Sequence, residues 1–361
     1  MIHLIGDFSS LHFFLSRGLA QIGVDSTLWS SGDGWKNIPI DRRIGGGGNF
    51  FVRSFHQVSG SIEMRNAIRE TDALFLATPY LFNRHVNYIL QRFAILKSRN
   101  LVLQLAGCDH FFHEIFKESQ LCRQCLRIDI GSSQCPFSRE SWPNVEEIFK
   151  HARAYVPWAS SYAEEGRVLQ SKFNKPVLPT LRFPIDFSYL ESIKKPVHLP
   201  KKNKIRVLHG ISREGMKGTR VIIDAMKLLE DRRSDIEFVV VKRLPFDEYL
   251  SLLGTVDLVF DQLWGFGYGM NGAIALSFGA HVIYGSDLGQ SSVDAEVIRM
   301  DSDAPVFQAR KTENSVLLAE ELDTIINSYL KIKNPRKVAI EYARGVHDAK
   351  LIANQFLKNV S

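Results

Sequence analysis

Val207-Leu208-His209-Gly210-Ile211-Ser212-Arg213-Glu214-Gly215-Met216-Lys217-Gly218-Thr219 is the stretch on which the reading of this chain turns. A short apolar run, Ile205 to Leu208, leads into a loop with one Arg, one Lys and three glycines. The residues after it are apolar at Val221, Ile222, Ala225, Leu228 and Leu229, a helical spacing that predicts one face turned to a core. A strand–loop–helix unit with two cations in its loop suits a phosphate, because glycines let backbone approach closely and a helix amino end is electropositive. This loop carries neither the Walker spacing nor the dinucleotide fingerprint.

Outward from this loop, the chain alternates strands and helices. Strands are expected at Ile2 to Ile5, Ser26 to Trp29, Phe50 to Arg53, Ala73 to Ala77, Leu101 to Gln104 and Ala154 to Pro157. Helices are expected at Ser10 to Ile22, Gly60 to Arg69, Arg84 to Lys97 and from Ser161 onward. Lys194 to Lys204 is polar, holds two prolines and lacks periodicity, so it reads as a linker. The pattern then restarts with strands at Ile205 to Leu208, Ile236 to Val241, Leu258 to Phe260 and His281 to Tyr284, and late helices at Asn314 to Lys331 and Pro335 to Phe356. Two such series predict an α/β chain with two Rossmann-like, doubly wound parallel-sheet domains facing a cleft, the first over 1–193 and the second over 205–345. At 361 residues there is length enough for two cores.

The bulk numbers exclude more than they select. An apolar fraction of 45% and a charged fraction of 23% are those of an ordinary globular protein. No apolar run approaches a membrane span, and the first residues read as strand and loop, so a cytoplasmic protein is expected. A net charge of +6 permits an anionic partner but is spread too evenly for a nucleic-acid arm. Arg84 to Arg99 combines helical apolar spacing with five basic residues, which fits either a solvated crossover helix or contact with an anionic membrane surface.

A second glycine-rich turn follows the strand at Leu258: Asp261-Gln262-Leu263-Trp264-Gly265-Phe266-Gly267-Tyr268-Gly269-Met270-Asn271-Gly272. Glycines again stand where a sheet gives way to a helix, as packing residues or as a seat for a diphosphate. Asp261 and Gln262 are structural or donor contacts, and His209 is either bonded to backbone or turned to the ligand. In the first domain Asp7, Asp109 and His110 follow expected strand ends and could meet the acceptor or the donor sugar, or serve structure. All four cysteines, Cys108, Cys122, Cys125 and Cys135, lie in one stretch. The C-x2-C and its neighbours suit either a structural zinc, with His113 or His110 able to replace Cys108, or four reduced thiols.

The run LHGISREGMKGTRVIIDAMKLL, then VDLVFDQLWGFGYGMNGAIALSFGAHVIYGSD, resembles the carboxyl-terminal domain of retaining glycosyltransferases of the GT-B fold, within them family 4. The resemblance covers Ile205 to Ser361 and is fainter before residue 190. It implies that Arg213 and Lys217 bind the donor diphosphate, with Gly269, Met270 and Asn271 facing its phosphates; His209, Gly210 and Tyr268, beside these positions in the two turns, are further donor-side candidates. It also implies that residues 346–361 cross back onto the first domain. The implied activity is sugar transfer from a nucleotide-diphosphate donor, with retention and without a catalytic metal or protein nucleophile. The acceptor would be a glycan or lipid-linked oligosaccharide, in bacterial surface polysaccharide synthesis at the inner face of the membrane. The chain departs from the family at two glutamate positions, which fall on Phe266 and Ile274. That leaves two alternatives open: a sugar-nucleotide epimerase of the same fold, which would need cleft carboxylates, or a non-catalytic nucleotide-sugar-binding subunit.

Overall fold

The computed structural model describes residues 1–46, 49–132, 134–138, 141–142, 144–193 and 204–360. The expected linker therefore lies outside the described residues except for Lys204, and the glycine run at 45–48 is described only for its first two members. The chain forms two compact units. The first comprises 1–116, 134–186 and 348–361; the second comprises 117–133 and 187–347.

Unit 1 is built on six parallel strands: β1 (Ile2–Ile5), β2 (Ser26–Ser30), β3 (Arg42–Arg43), β4 (Ala73–Leu76), β5 (Leu101–Leu105) and β6 (Ala154–Pro157). Their order is β3-β2-β1-β4-β5-β6, the doubly wound arrangement whose direction reverses between β1 and β4. β5 and β6 are buried at every position, as strands covered on both faces must be. Helix α1 (Leu11–Gln21) starts where Asp7 Oδ1 accepts from the His12 N–H at 3.0 Å, so a carboxylate outside the helix satisfies one of its orphan donors. Gly18 on α1 is a close-approach glycine: a Cβ there would stand 2.2 Å from the Ala349 carbonyl oxygen. The helix Ala349–Val360 accordingly returns to this unit, with the Phe356 ring 4.3 Å from that of Phe75.

One expected strand is a helix. Phe50 to Arg53 begins α2 (Phe50–Ala67) because Asn49 caps it, its side chain accepting from the Val52 N–H at 3.1 Å. Its aromatic residues follow helical spacing, although aromatic-rich segments favour strands in isolation. The basic segment expected as a helix over 84–97 shortens to α3 (Asn87–Ala94).

Unit 2 has five parallel strands: β7 (Ile205–Ile211), β8 (Ile236–Lys242), β9 (Leu258–Gln262), β10 (His281–Ser286) and β11 (Val306–Arg310), ordered β11-β10-β9-β7-β8. β11 is absent from the sequence reading; its half-buried, mixed-polarity residues carry little periodic signal. The amphipathic helix after the opening loop is present as Thr219–Glu230 and buries Ile222, Ala225, Met226 and Leu229. The sheet reverses direction between β7 and β9, so their carboxyl ends form the switch point where open α/β sheets bind ligands.

Candidate functional site

The switch point of unit 2 brings together the two glycine-rich turns read from the sequence. After β7, Ser212 to Gly218 holds a one-turn helix, Glu214–Lys217; after β9, Leu263 to Gly269 leads into the helix Met270–Ser277. The Leu263 N–H donates to the Lys217 carbonyl at 2.9 Å. Gly218 at φ +72 completes the first turn, and a Cβ there would meet Leu263 Cβ at 2.6 Å.

Between the turns sits an ion pair. Lys217 Nζ lies 3.1 Å from Asp261 Oδ1, with side chains 12% and 4% exposed. Asp261 also accepts from the Gly269 N–H and from Asn271 Nδ2, each at 2.9 Å. Burial works to raise the Asp261 pKa, but the Lys217 charge and these hydrogen bonds outweigh it and hold the carboxyl below its ordinary value. Asn271 Oδ1 accepts from Tyr249 Oη at 2.6 Å, and that phenol lies where a Cβ on Gly210 would clash. Arg213 is exposed at the start of the loop. A fixed lysine, an exposed arginine and a glycine turn at the end of a parallel sheet form a surface able to bind an anion.

Several of the other expected ligand contacts are bonded within the scaffold. His209 is fully buried, with Nδ1 2.8 Å from the Phe260 carbonyl oxygen and Nε2 2.9 Å from Thr219 Oγ1. Burial, then the neighbouring Lys217 charge, lowers its pKa to about 4, so the imidazole is neutral. Gln262 Nε2 donates to the Gly267 carbonyl at 2.8 Å, bracing the turn from within. Tyr268 is buried, its hydroxyl 3.0 Å from His347 Nε2. Met270 is buried at the helix start. Ile274, one of the positions lacking a glutamate, is packed in the core, so it bears on packing rather than on a ligand.

The site also holds groups that the sequence reading missed. Lys311 follows β11 and places its ammonium 4.4 Å from the centre of the Phe266 ring and 3.9 Å from Asp294 Oδ1. Burial lowers its pKa, against the opposing Asp294 and Asp287 charges. Asp129, from the cysteine-bearing stretch, accepts from the Gly215 and Met216 N–H groups at 2.8 and 2.9 Å. Neither lies near the loop in sequence. Gly267 to Gly272 also spells G-x-G-x-x-G between a strand and a helix, a signal that was available.

In unit 1 the expected acceptor-side residues occupy separate local networks. Asp7 follows β1, and burial pushes its pKa up to about 7 while the His12 N–H opposes the rise. His12 is buried, its Nδ1 2.5 Å from the Gly6 carbonyl oxygen; burial lowers its pKa to about 4. Asp109 accepts from the Phe112 N–H at 3.0 Å and pairs with the fully buried Glu165, a partner not foreseen from sequence. Burial first, then the Asp109 charge, raises Glu165 well above the usual range, so the pair holds a proton. His110 Nε2 lies 3.8 Å from Glu146 Oε1.

The zinc expectation requires correction. Among the described residues no three His, Cys, Asp or Glu side chains assemble to hold a metal ion. Cys108 and Cys135 belong to unit 1 as free thiols, and a hydrogen bond with Cys108 lowers the Cys135 pKa to about 7. Cys122 and Cys125 belong to unit 2. The four cysteines, neighbours along the chain, are thus shared between the two units.

No protein-family model matches the chain, and no curated protein matches it. Solved structures do resemble it over nearly their full length. Sucrose-phosphate synthase from Thermosynechococcus elongatus aligns at a TM-score of 0.61 and 12% identity, covering 99% of this chain and 98% of that one. Anabaena HepE in complex with UDP and glucose gives 0.60 and 15%, with the same coverage. The UDP-GlcNAc 2-epimerase of Neisseria meningitidis bound to UDP-GlcNAc gives 0.55 and 11%, covering 99% of each. Such identities speak to fold. Together with the two parallel sheets, they give the chain the two-domain GT-B architecture.

Proposed function

We propose that this chain is a glycosyltransferase that moves a sugar from a nucleotide-diphosphate donor to a glycan or lipid-linked acceptor. The observation that carries this reading is the Lys217–Asp261 pair at the unit 2 switch point, with Arg213 exposed in the same loop. Breaking a sugar–phosphate bond builds charge on the leaving diphosphate, and preorganised cations stabilise it without reorganisation. Lys217 supplies a point charge already fixed by Asp261, and Arg213 a planar fork for two phosphate oxygens. The Gly267–Gly272 turn supplies backbone where a diphosphate can approach closely. We further assign family-4 type, retention, independence from a catalytic metal and a role in surface polysaccharide synthesis, all from the sequence resemblance. A structure with bound UDP and glucose among those of the same fold supports a nucleotide-sugar ligand.

A second reading, an epimerase acting on a nucleotide sugar, is favoured by the proton-holding Asp109–Glu165 pair in unit 1. It is also favoured by the epimerase among the similar structures. A thermal-shift screen of nucleotide sugars on the wild type and Lys217→Ala tests the donor site. Stabilisation lost in the variant supports it, and no stabilisation by any nucleotide sugar rejects it. NMR of the products then separates the readings: free or transferred sugar with retained anomeric configuration marks a transferase, and an inverted ring carbon on an intact nucleotide sugar marks an epimerase. Binding without turnover marks a non-catalytic subunit.

For the acceptor side we propose contact with an anionic membrane surface, from a cytoplasmic location. No helix among the described residues is long and apolar enough to cross a membrane. However, Phe55, Val58 and Ile62 on α2 and Ile89 and Phe93 on α3 are 45–69% exposed. Residues 49–99 hold seven Lys and Arg against three Asp and Glu. Exposed apolar side chains with a basic surround suit a lipid interface. Vesicle co-sedimentation with and without anionic lipid tests it; no binding to either, or equal binding to both, would reject it.

A further inference from the structure

Residues 117–133 leave unit 1 and return to it, yet they are part of unit 2. They form a helix, Gln120–Gln124, that runs into a π-helical turn, Cys125–Ile130, an uncommon geometry often found at functional sites. The segment is seated on the cationic loop at several points. Asp129 Oδ1 accepts from the Gly215 N–H at 2.8 Å, and Oδ2 from the Met216 N–H at 2.9 Å. Gln120 Nε2 and Gln124 Nε2 both donate to Glu313 Oε1, at 2.6 and 2.7 Å. The contact is so close that a Cβ on Gly215 would stand 2.4 Å from the Gln124 carbonyl oxygen and 2.9 Å from Ile128 Cβ.

A carboxylate whose two oxygens take one N–H each, on consecutive residues between Arg213 and Lys217, has the charge and donor requirements of a phosphate edge. We propose that Asp129 is a built-in competitor of the donor. It occupies the N–H pair that a phosphate of a nucleoside diphosphate would take, so donor binding displaces the 117–133 strap. The inference rests on the donor site proposed above. A carboxylate left beside an incoming diphosphate adds like-charge repulsion, so the two anions exclude each other. Loss of the carboxylate removes the competitor. The glutamine bonds to Glu313 are ones that solvent can also satisfy, so they oppose displacement weakly beside the packing of Gln124 and Ile128 on Gly215.

The experiment is UDP binding by calorimetry to the wild type, Asp129→Ala and Asp129→Asn, joined to amide hydrogen exchange of residues 118–132 in the wild type with and without saturating UDP. The expected result is roughly tenfold tighter binding in Asp129→Ala, a smaller gain in Asp129→Asn, and faster exchange of the strap when UDP binds. Unchanged or weaker binding in both variants, or a strap that UDP protects, overturns the proposal while leaving the donor site standing. If UDP binds neither the wild type nor either variant, the donor site fails and this inference fails with it. The exchange measurement needs no variant, so poor folding of Asp129→Ala does not remove the test.

Discussion

The switch point of unit 2 and the strand ends of unit 1 hold similar residue types but treat charge in opposite ways. In unit 2, Asp261 is buried and ionised because a lysine, a backbone N–H and an amide converge on it, and His209 is buried and neutral with both ring nitrogens bonded. In unit 1, Asp7 and Glu165 are held toward their protonated forms, and Asp7 Oδ2 is buried without a hydrogen bond among the described residues. A satisfied network fixes one charge state and one geometry, which suits a prebuilt anion site. An under-satisfied one changes its charge state with pH instead. The difference lies in how many donors the fold aims at each carboxylate.

The sharpest way to break this contrast is Asp261→Ala. It leaves Lys217 buried without its counter-charge and strands two donors, and it should cost about 3–5 kcal/mol in urea denaturation. A loss below 1 kcal/mol would mean that the network is not what holds the two turns.

The next effect is in pH dependence. The folded state lowers the His209 pKa from 6.5 to about 4, so its contribution is complete above pH 6.5 and is lost as pH falls toward 4. Asp7 is raised from 3.8 to about 7, so its contribution is complete below pH 3.8 and is lost as pH rises toward 7. His209→Gln and Asp7→Asn should therefore change the slope of stability against pH between 4 and 6.5 with opposite signs, by on the order of 2–3 kcal/mol across the window. Slopes that shift in the same direction would remove the distinction between the units.

Smaller still is Gly215→Ala. The new Cβ meets backbone at Gln124 and should cost about 1–3 kcal/mol, with faster hydrogen exchange in 118–132 as the strap is pushed away. The least effect on stability is expected from Phe55→Ser with Ile62→Ser on the exposed face of α2, within about 0.5 kcal/mol. The same double variant should lose most of its binding to anionic vesicles; retained binding would move the membrane contact elsewhere.

Much of this was legible in the sequence. The strands at Ile2, Leu101, Ala154 and Leu258 lie where apolar runs predict them, because largely buried strands need little besides apolar, β-favouring residues. Phe50 to Arg53 misled because local propensity favours a strand, whereas Asn49 and the longer spacing of Phe55, Val58 and Ile62 set a helix. In the site, Arg213 and Lys217 were legible as candidates because they follow the end of β7, and Asp261 because it stands at the carboxyl end of β9. Asp129, Lys311 and Glu165 were not, since each reaches its partner from a distant element and carries no local signature.

By itself the sequence determined the two parallel α/β series and the placing of cations and glycines at strand ends, because periodicity and turn chemistry are local properties of the chain. Only the tertiary structure decided what those groups do. It gave His209, Gln262 and Tyr268 hydrogen-bond partners within unit 2 and paired Lys217 with Asp261. It divided four neighbouring cysteines between two units, and laid Asp129 on the N–H groups of the opening loop. Charge state and hydrogen-bond partner depend on burial and on what stands opposite, and both are fixed by contacts between residues far apart in the chain.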